Sequence, residues 1–188
     1  MLTDRLAFAN FRTLTRGRGS LTLCLALCSL LLGVCSNAFA QSFATFDAPG
    51  AQGTVAVSIN QNGAIIGDYL DARGASHAFL RAPDGIITTF DAPGAGTGLI
   101  QGTFALSINQ KGAITGYYID ASSVYHGFLR APDGAFTTFD APGAGTGLGQ
   151  GTVALSINRN GAITGSYLDA TGNHGFVRTL RGRRHHRP

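Results

Sequence analysis

Apolar and polar residues alternate in short runs along most of the chain after residue 41. Residues 103–108, for example, read Thr-Phe-Ala-Leu-Ser-Ile, the period of two that indicates a strand with one buried face. The next residues, Asn109 to Gly112, end this run with side chains that suit a tight hairpin turn. Further strands are predicted at 113–119, 126–130 and 135–139, and no stretch shows sustained helical periodicity. The chain is therefore predicted to be all-β.

This pattern of four strands occurs three times. The runs Phe-Asp-Ala-Pro-Gly, Ser-Ile-Asn and Tyr-x-Asp-Ala recur every 49 residues, except that the first two Phe-Asp-Ala-Pro-Gly runs are 44 residues apart. We therefore divide the body of the chain, 41–178, into three copies, 43–89, 90–138 and 139–178. The repeated signature includes an aspartate, a histidine and a phenylalanine in each copy: Asp47, Asp91, Asp140, His77, His126, His174, Phe79, Phe128 and Phe176.

The size of one copy, four strands in under about fifty residues, is that of a β-propeller blade. Residues 43–46, at the start of the first copy, are predicted to be a single strand. They are expected to complete the last copy, which has only three strands of its own. Propellers have about four to eight blades, so three copies leave three alternatives. In the first, two molecules share a six-bladed ring. In the second, the chain is a remnant of a longer array. In the third, the three copies close in threefold symmetry like a β-trefoil.

The two ends of the sequence differ from its body in charge and hydropathy. Four arginines before residue 20, an uncharged run over 21–34 and Ala-Phe-Ala at 38–40 have the order of a signal peptide, predicted over 1–40. Cleavage there removes all three cysteines and leaves no transmembrane segment. The body is mildly acidic, whereas 179–188 is a basic tail expected to be disordered. We expect a secreted protein, periplasmic or extracellular.

The order of the repeated motifs is similar to that of a known family. Ile-Asn-x-x-Gly-x-Ile-x-Gly-x-Tyr, followed by His-Ala/Gly-Phe-Leu-Arg and Thr-Thr-Phe-Asp, resembles the HAF-repeat family of predicted extracellular bacterial proteins. His77-Ala78-Phe79 matches the His-Ala-Phe core that names the family, whereas the other two copies carry glycine at its centre. The resemblance covers 43–178. It implies an extracytoplasmic location and propeller-like blades, and it implies no activity.

Histidines and aspartates are the residues that could carry chemistry. His77, His126 and His174 would form a zinc site only if a threefold closure brought them together; otherwise each is expected to tie neighbouring strands or the following turn. The repeated aspartates lie beside glycine, proline or alanine, where a carboxylate usually accepts hydrogen bonds from turn amides. They are also identical in every copy, whereas an active site normally differs from its scaffold. No catalytic residue, metal or cofactor is therefore predicted.

The sequence predicts a binding or structural protein rather than an enzyme. Ligands are expected at the glycine-rich loops 95–102 and 144–151, and Tyr117, Tyr118 and Tyr125 of the middle copy form an aromatic set that suits a carbohydrate. A homodimer is a further expected partner. The basic tail, without a recognised nucleic-acid-binding fold, does not predict specific nucleic-acid binding. The alternatives are a glycan-acting enzyme on a propeller scaffold and a remnant of a longer repeat array.

Overall fold

The computed structural model describes residues 41–179, so the predicted signal peptide and all of the basic tail except Thr179 lie outside the described residues. Within this range the chain forms β-strands and no helix, and accordingly no helix that could cross a membrane, which confirms the prediction of an all-β protein. All strands belong to one compact unit that begins at Thr45. They are β1 Gly53–Ile59, β2 Ile65–Leu70, β3 Ser76–Arg81, β4 Ile87–Phe90, β5 Gly102–Ile108, β6 Ile114–Ile119, β7 Tyr125–Arg130, β8 Phe136–Phe139, β9 Gly151–Ile157, β10 Ile163–Leu168 and β11 Asn173–Arg178.

Strands that follow one another within a copy pair in antiparallel fashion. β1 pairs with β2, β2 with β3 and β3 with β4. β5 to β8 of the middle copy repeat this order, and β9 to β11 of the last copy repeat its first three strands. Single parallel residue pairs, Ser76 with Gly102 and Tyr125 with Gly151, join successive copies. The result is one mixed sheet of eleven strands.

This sheet is open at both ends of the described range. β1 pairs only with β2, and β11 pairs only with β10. Residues 43–46, which we expected to be a strand that completes the last copy, belong to no strand. A strand forms only where a neighbouring edge takes its hydrogen bonds, and no strand within residues 41–179 pairs with these residues. Neither a closed ring nor a threefold closure is therefore present in residues 41–179.

The glycine in the second strand of each copy is required by close packing. A Cβ on Gly116 would lie 1.9 Å from the carbonyl oxygen of Phe104 on the neighbouring strand, and a Cβ on Gly67 would meet Val55 at the same distance. In the middle copy the approach coincides with a β-bulge next to Ala105. The repeated Ile-x-Gly-x-Tyr motif therefore reflects a strand that admits no side chain at its centre.

The hydrophobic core lies between successive copies, where β2 packs against β5 and β6 packs against β9. Ile66 and Ala78 of the first copy share one buried cluster with Ala105 and Ile108 of the middle copy. A second cluster joins the middle copy to the last copy in the same way. Each copy therefore depends on its neighbours for the burial of its apolar side chains.

A ladder of asparagine side chains also joins the three copies. Nδ2 of Asn60 donates a hydrogen bond to the carbonyl oxygen of Asn109 at 3.2 Å, and Nδ2 of Asn109 donates to the carbonyl oxygen of Asn158 at 3.1 Å. Oδ1 of Asn109 accepts the N–H groups of Lys111 and Ala113, and the other two asparagines shape their turns similarly. One asparagine per copy thus both fixes a hairpin turn and links two copies.

An aromatic ring from the preceding segment packs on the arginine at the end of each third strand. The guanidinium carbon of Arg130 lies 4.7 Å from the ring centroid of Phe90, and the last copy repeats this contact at 4.6 Å. Phe46 makes the equivalent contact in the first copy, 5.0 Å from Arg81. Phe90 is the last residue of β4, the fourth strand before the sheet of the middle copy. Phe46 therefore occupies the place that the fourth strand of a preceding copy would give its phenylalanine.

Candidate functional site

A histidine, two aspartates and a tyrosine form the same cluster in the first and middle copies. Nδ1 of His77 lies 2.9 Å from a carboxylate oxygen of Asp91, and its Nε2 lies 3.5 Å from Asp71. The imidazole also stacks on Tyr69, with ring centroids 5.3 Å apart. The middle copy repeats these contacts around His126. The repeated histidine therefore ties the end of the fourth strand to the turn that follows the second strand.

The aspartates of this cluster also serve its turns. Desolvation opposes the charge of His77, but hydrogen bonds and negative charge from Asp91 and Asp71 outweigh it, so the pKa of His77 is raised. The pKa of Asp71 is lowered, first by the N–H of Ala75, against some desolvation, and then by the N–H of Arg73 and by His77. Two backbone amides thus hold Asp71 ionised, which suits a structural role in the turn.

In the last copy the cluster lacks one member. His174 stacks on Tyr167 at 5.0 Å, and its Nε2 lies 3.4 Å from Asp169. The pKa of Asp169 is lowered to about 2, first by the hydroxyl and the N–H of Thr171. Among residues 41–179, no aspartate lies beside Nδ1 of His174, whereas Asp91 lies beside Nδ1 of His77.

Each of the three repeated histidines contacts an aspartate of its own copy, and His77 and His126 also contact an aspartate at the start of the next copy. In the described range no group of three or more His, Cys, Asp or Glu side chains has the arrangement of a metal site. The zinc arrangement considered for His77, His126 and His174 therefore has no counterpart in residues 41–179.

The middle copy carries an open cleft with a volume of about 440 Å³. Both glycine-rich loops, 95–102 and 144–151, contribute exposed apolar side chains to it, and the sheet of the middle copy contributes three aromatic ones. The structure therefore brings the two loops together with tyrosines of the middle copy. The lining residues are Leu99, Ile100, Phe104, Tyr117, Ile119, Ser123, Tyr125, Leu148 and Gly149.

The three aromatic side chains of the cleft lie next to one another in a row, of which Phe104 and Tyr117 are stacked and Tyr125 is tilted by 37° from Tyr117. Phe104 and Tyr117 are nearly parallel, with ring centroids 4.8 Å apart and 13° between their planes, and Tyr125 lies 5.5 Å from Tyr117. Burial raises the pKa of Tyr117 to about 12, with smaller contributions from Tyr125 and the charge of Asp68. The Tyr117 hydroxyl therefore keeps its proton at neutral pH and can both donate and accept a hydrogen bond.

These aromatic residues are positions at which the middle copy departs from the other two. Phe104 stands where both other copies have valine. Tyr117 stands where they have aspartate and serine, and Tyr125 where they have serine and asparagine. Since the rest of the signature is kept, the differences concentrate at the cleft.

Two further departures are visible in the backbone. Ile100 and Ser123 are the only residues other than glycine with a positive φ in the described range, both at 60°. The last copy has glycine at both positions, Gly149 and Gly172. A left-handed conformation costs a side-chain-bearing residue about 1–2 kcal/mol, and such strain is typical of ligand-binding sites. Both strained residues line the cleft, which indicates that their side chains matter there.

Tyr118, which we grouped with Tyr117 and Tyr125, lies outside the cleft. It is buried and stacks on His126, with ring centroids 4.9 Å apart. Successive residues of a strand point to opposite faces of the sheet. Tyr117 and Tyr118 therefore cannot line one surface, and the aromatic set of the sequence analysis was wrong in this member.

Sequence reasoning did not single out Phe104, Ile100 or Ser123. A signal for them was nevertheless present, because each differs from the residue at the same position of the last copy. Comparison of the copies position by position, rather than a search for motifs, is what identifies these residues.

Comparisons with models of protein families, with curated proteins and with solved structures find no match for this chain. The similarity to HAF repeats therefore stays a prediction from the motifs. The cleft and the histidine clusters are the features from which function has to be inferred.

Proposed function

We propose that this chain is a secreted binding module without catalytic activity, which holds a neutral sugar ring in the cleft of its middle copy. The observation that carries the proposal is the convergence of five departures from the repeat, namely Ile100, Phe104, Tyr117, Ser123 and Tyr125. The three copies of the repeat provide a stable scaffold, while the altered middle copy provides a surface that can bind a specific ligand. Secretion is expected from the predicted signal peptide over 1–40 and from the similarity to HAF repeats.

A sugar ring suits the chemistry of this cleft. One face of a pyranose presents C–H groups that pack on aromatic rings, while its hydroxyls need polar partners. Phe104 and Tyr117 supply a flat apolar surface, and the hydroxyls of Tyr117, Tyr125 and Ser123 supply donors and acceptors. The volume is within the range of ligand-binding clefts. No charged residue lines the cleft, which favours a neutral saccharide.

We further propose that the copies are blades of a propeller-like array. Each complete copy is a four-stranded antiparallel sheet, and successive copies pack face to face. The loops 95–102 and 144–151 connect successive copies, and connecting loops on a rigid scaffold are where binding sites are commonly found. Their position at the cleft supports a shared role in ligand binding.

A glycan-acting enzyme is the competing function. Burial raises the pKa of Asp68 to about 6, and the charge of Asp68 acts on Tyr117 of the cleft. A carboxyl group with a raised pKa suits an acid catalyst. Hydrolysis of a glycosidic bond normally uses two carboxyl groups, however, and none is among the lining residues. The variant Asp68→Asn distinguishes the two functions. A binding protein should keep its affinity for the saccharide, whereas an enzyme should lose its rate of glycan turnover.

Titration calorimetry with neutral oligosaccharides tests the proposal, using xylo-, cello- and chito-oligosaccharides and the chain expressed from Gln41. Phe104→Val and Tyr117→Ser each introduce the residue that the last copy carries at that position, so the fold is expected to persist. Each variant removes a stacking surface worth about 1 kcal/mol or more. We expect the Kd to rise about tenfold.

Ile86→Ala is the control for this experiment. It removes an apolar side chain that is exposed and lies outside the cleft, so the Kd should stay unchanged. The proposal is contradicted if none of the oligosaccharides binds. It is also contradicted if both cleft variants bind a saccharide as tightly as the unaltered chain.

A further inference from the structure

The first and last copies expose faces that are buried wherever another copy adjoins them. Ile59 of the first copy is 65% exposed, whereas Ile108 and Ile157 at the same position are 7% and 6% exposed. In the last copy Val177 is 68% exposed, whereas Leu129 at that position packs against the cluster that contains Ile157. The two exposed faces are thus the two halves of the interface that the chain forms twice internally.

The asparagine ladder ends at the same two faces. Asn60 and Asn109 are buried, but Asn158 on the last rung is exposed. Among residues 41–179, Nδ2 of Asn158 has no acceptor, and the carbonyl oxygen of Asn60 accepts only the N–H of Gly63. A donor is therefore free at one end of the ladder, and a carbonyl lone pair is free at the other end.

The last copy also has an unpaired strand edge. β11 pairs with β10 on one side only, whereas the equivalent strands β3 and β7 each pair with a fourth strand. The residues 179–188 that follow β11 do not repeat the Thr-Thr-Phe-Asp of the fourth strands, but residues 44–47 read Ala-Thr-Phe-Asp. The segment that matches the missing strand therefore lies at the opposite end of the sheet.

Phe46 lies where the phenylalanine at the end of a fourth strand would lie. Phe46 already packs on Arg81 of its own chain as Phe90 packs on Arg130. If residues 43–47 paired with β11 in the register that β4 has with β3, Phe46 would lie opposite Gly175. Asp47 would then reach Nδ1 of His174, as Asp91 reaches Nδ1 of His77. Nδ1 of His174 is the atom that lacks an aspartate in the described residues.

We infer that a second molecule of this protein supplies these missing contacts, with its residues 43–47 paired to β11 and its Asn60 accepting from Asn158. This interface between molecules, which we call the joint, forms twice. The last copy of the first molecule contacts the first copy of the second molecule, and the last copy of the second molecule contacts the first copy of the first molecule. Two chains then close into a ring of six copies, which falls within the four to eight blades of known propellers and leaves no open edge. The inference does not depend on the proposed sugar site.

The solution mass of the chain expressed from Gln41 tests this inference, measured by light scattering behind a sizing column. We expect twice the monomer mass, and a monomer at Ile59→Asp. Ile86→Asp is the matched control, because Ile86 is 64% exposed but lies on the β3–β4 turn, and it should remain a dimer. A monomer at all concentrations, or an open series of larger masses, would overturn the inference.

A pair of aspartate variants tests the joint itself. Asp47→Ala removes the carboxylate assigned to His174 of the second molecule, whereas Asp91→Ala removes the same contact inside one chain. We expect Asp47→Ala to raise the dimer dissociation constant about tenfold or more, as for a hydrogen bond to a charged group. Asp91→Ala should lower thermal stability and leave the dissociation constant unchanged. Equal dissociation constants for the two variants would count against the joint.

A disulfide trap identifies which ends meet. The chain from Gln41 onward contains no cysteine, and the β3–β4 register places Ala44 opposite Val177 of the second molecule. Ala44→Cys combined with Val177→Cys should give a covalent dimer on oxidation. Ala44→Cys with Leu129→Cys should not, because β8 already pairs with Leu129. A disulfide within one chain would overturn the inference in favour of closure by a single molecule.

Discussion

Ile108 and Ile59 provide a direct test of packing between copies, because they occupy the same position with different neighbours. Replacement of isoleucine by alanine removes apolar groups worth roughly 2.4 kcal/mol when fully buried, at about 0.8 kcal/mol per methylene. Ile108 is 7% exposed, so nearly all of this is lost and a cavity is left, for a total of about 2–4 kcal/mol. Ile59 is 65% exposed, so Ile59→Ala should cost under about 1 kcal/mol.

Urea unfolding measures the difference, at a protein concentration at which the chain is a monomer. Tyrosine fluorescence and circular dichroism are suitable signals, since the chain contains five tyrosines and no tryptophan. We expect the free energy of unfolding to fall about 2 kcal/mol further in Ile108→Ala than in Ile59→Ala. Equal losses would show that the face around Ile59 is covered within one molecule. A loss below about 1 kcal/mol in Ile108→Ala would refute face-to-face packing of the copies.

Three further predictions concern single residues. Gly116→Ala should prevent folding or cost more than about 4 kcal/mol, because its Cβ would lie 1.9 Å from the carbonyl oxygen of Phe104; circular dichroism checks this, and a native melt would contradict it. Ile100→Gly should raise the free energy of unfolding by up to about 1 kcal/mol as backbone strain is released, while weakening saccharide binding in the same preparation. Asp68→Asn should raise the Tm at pH 8 and not at pH 4. The folded pKa of Asp68 is raised from 3.8 to about 6, so ionisation opposes folding and the stability of the unaltered chain falls as pH rises through this interval; an equal Tm difference at both pH values would contradict this.

The strands were predictable because their signal is local. Period-two alternation and the Asn-x-x-Gly turn predicted a strand at 103–108, and the structure has β5 at Gly102–Ile108. Residues 43–46 resemble the fourth strands in sequence, yet they form no strand, because strand formation depends on an edge that local sequence does not describe. The open ends of the sheet could not be predicted for the same reason.

The cleft was predicted only in part. The two glycine-rich loops and Tyr117 with Tyr125 could be selected by composition alone. The exclusion of Tyr118 follows from strand alternation, and Phe104 could be found from the sequence by its difference from the valines of the other copies, although only the structure shows it paired with Tyr117. Motif searches favour residues that repeat, whereas this cleft consists largely of residues that do not repeat.

The asparagine ladder has a consequence for how a chain of this kind changes in length during evolution. Each rung needs only the same asparagine in the next copy, 49 residues away, so duplication or deletion of a whole copy restores every hydrogen bond across the joint. An open array can therefore gain or lose copies one at a time. Once a ring has closed, each molecule must keep the number of copies that divides the circle evenly, and copy number becomes a trait under selection.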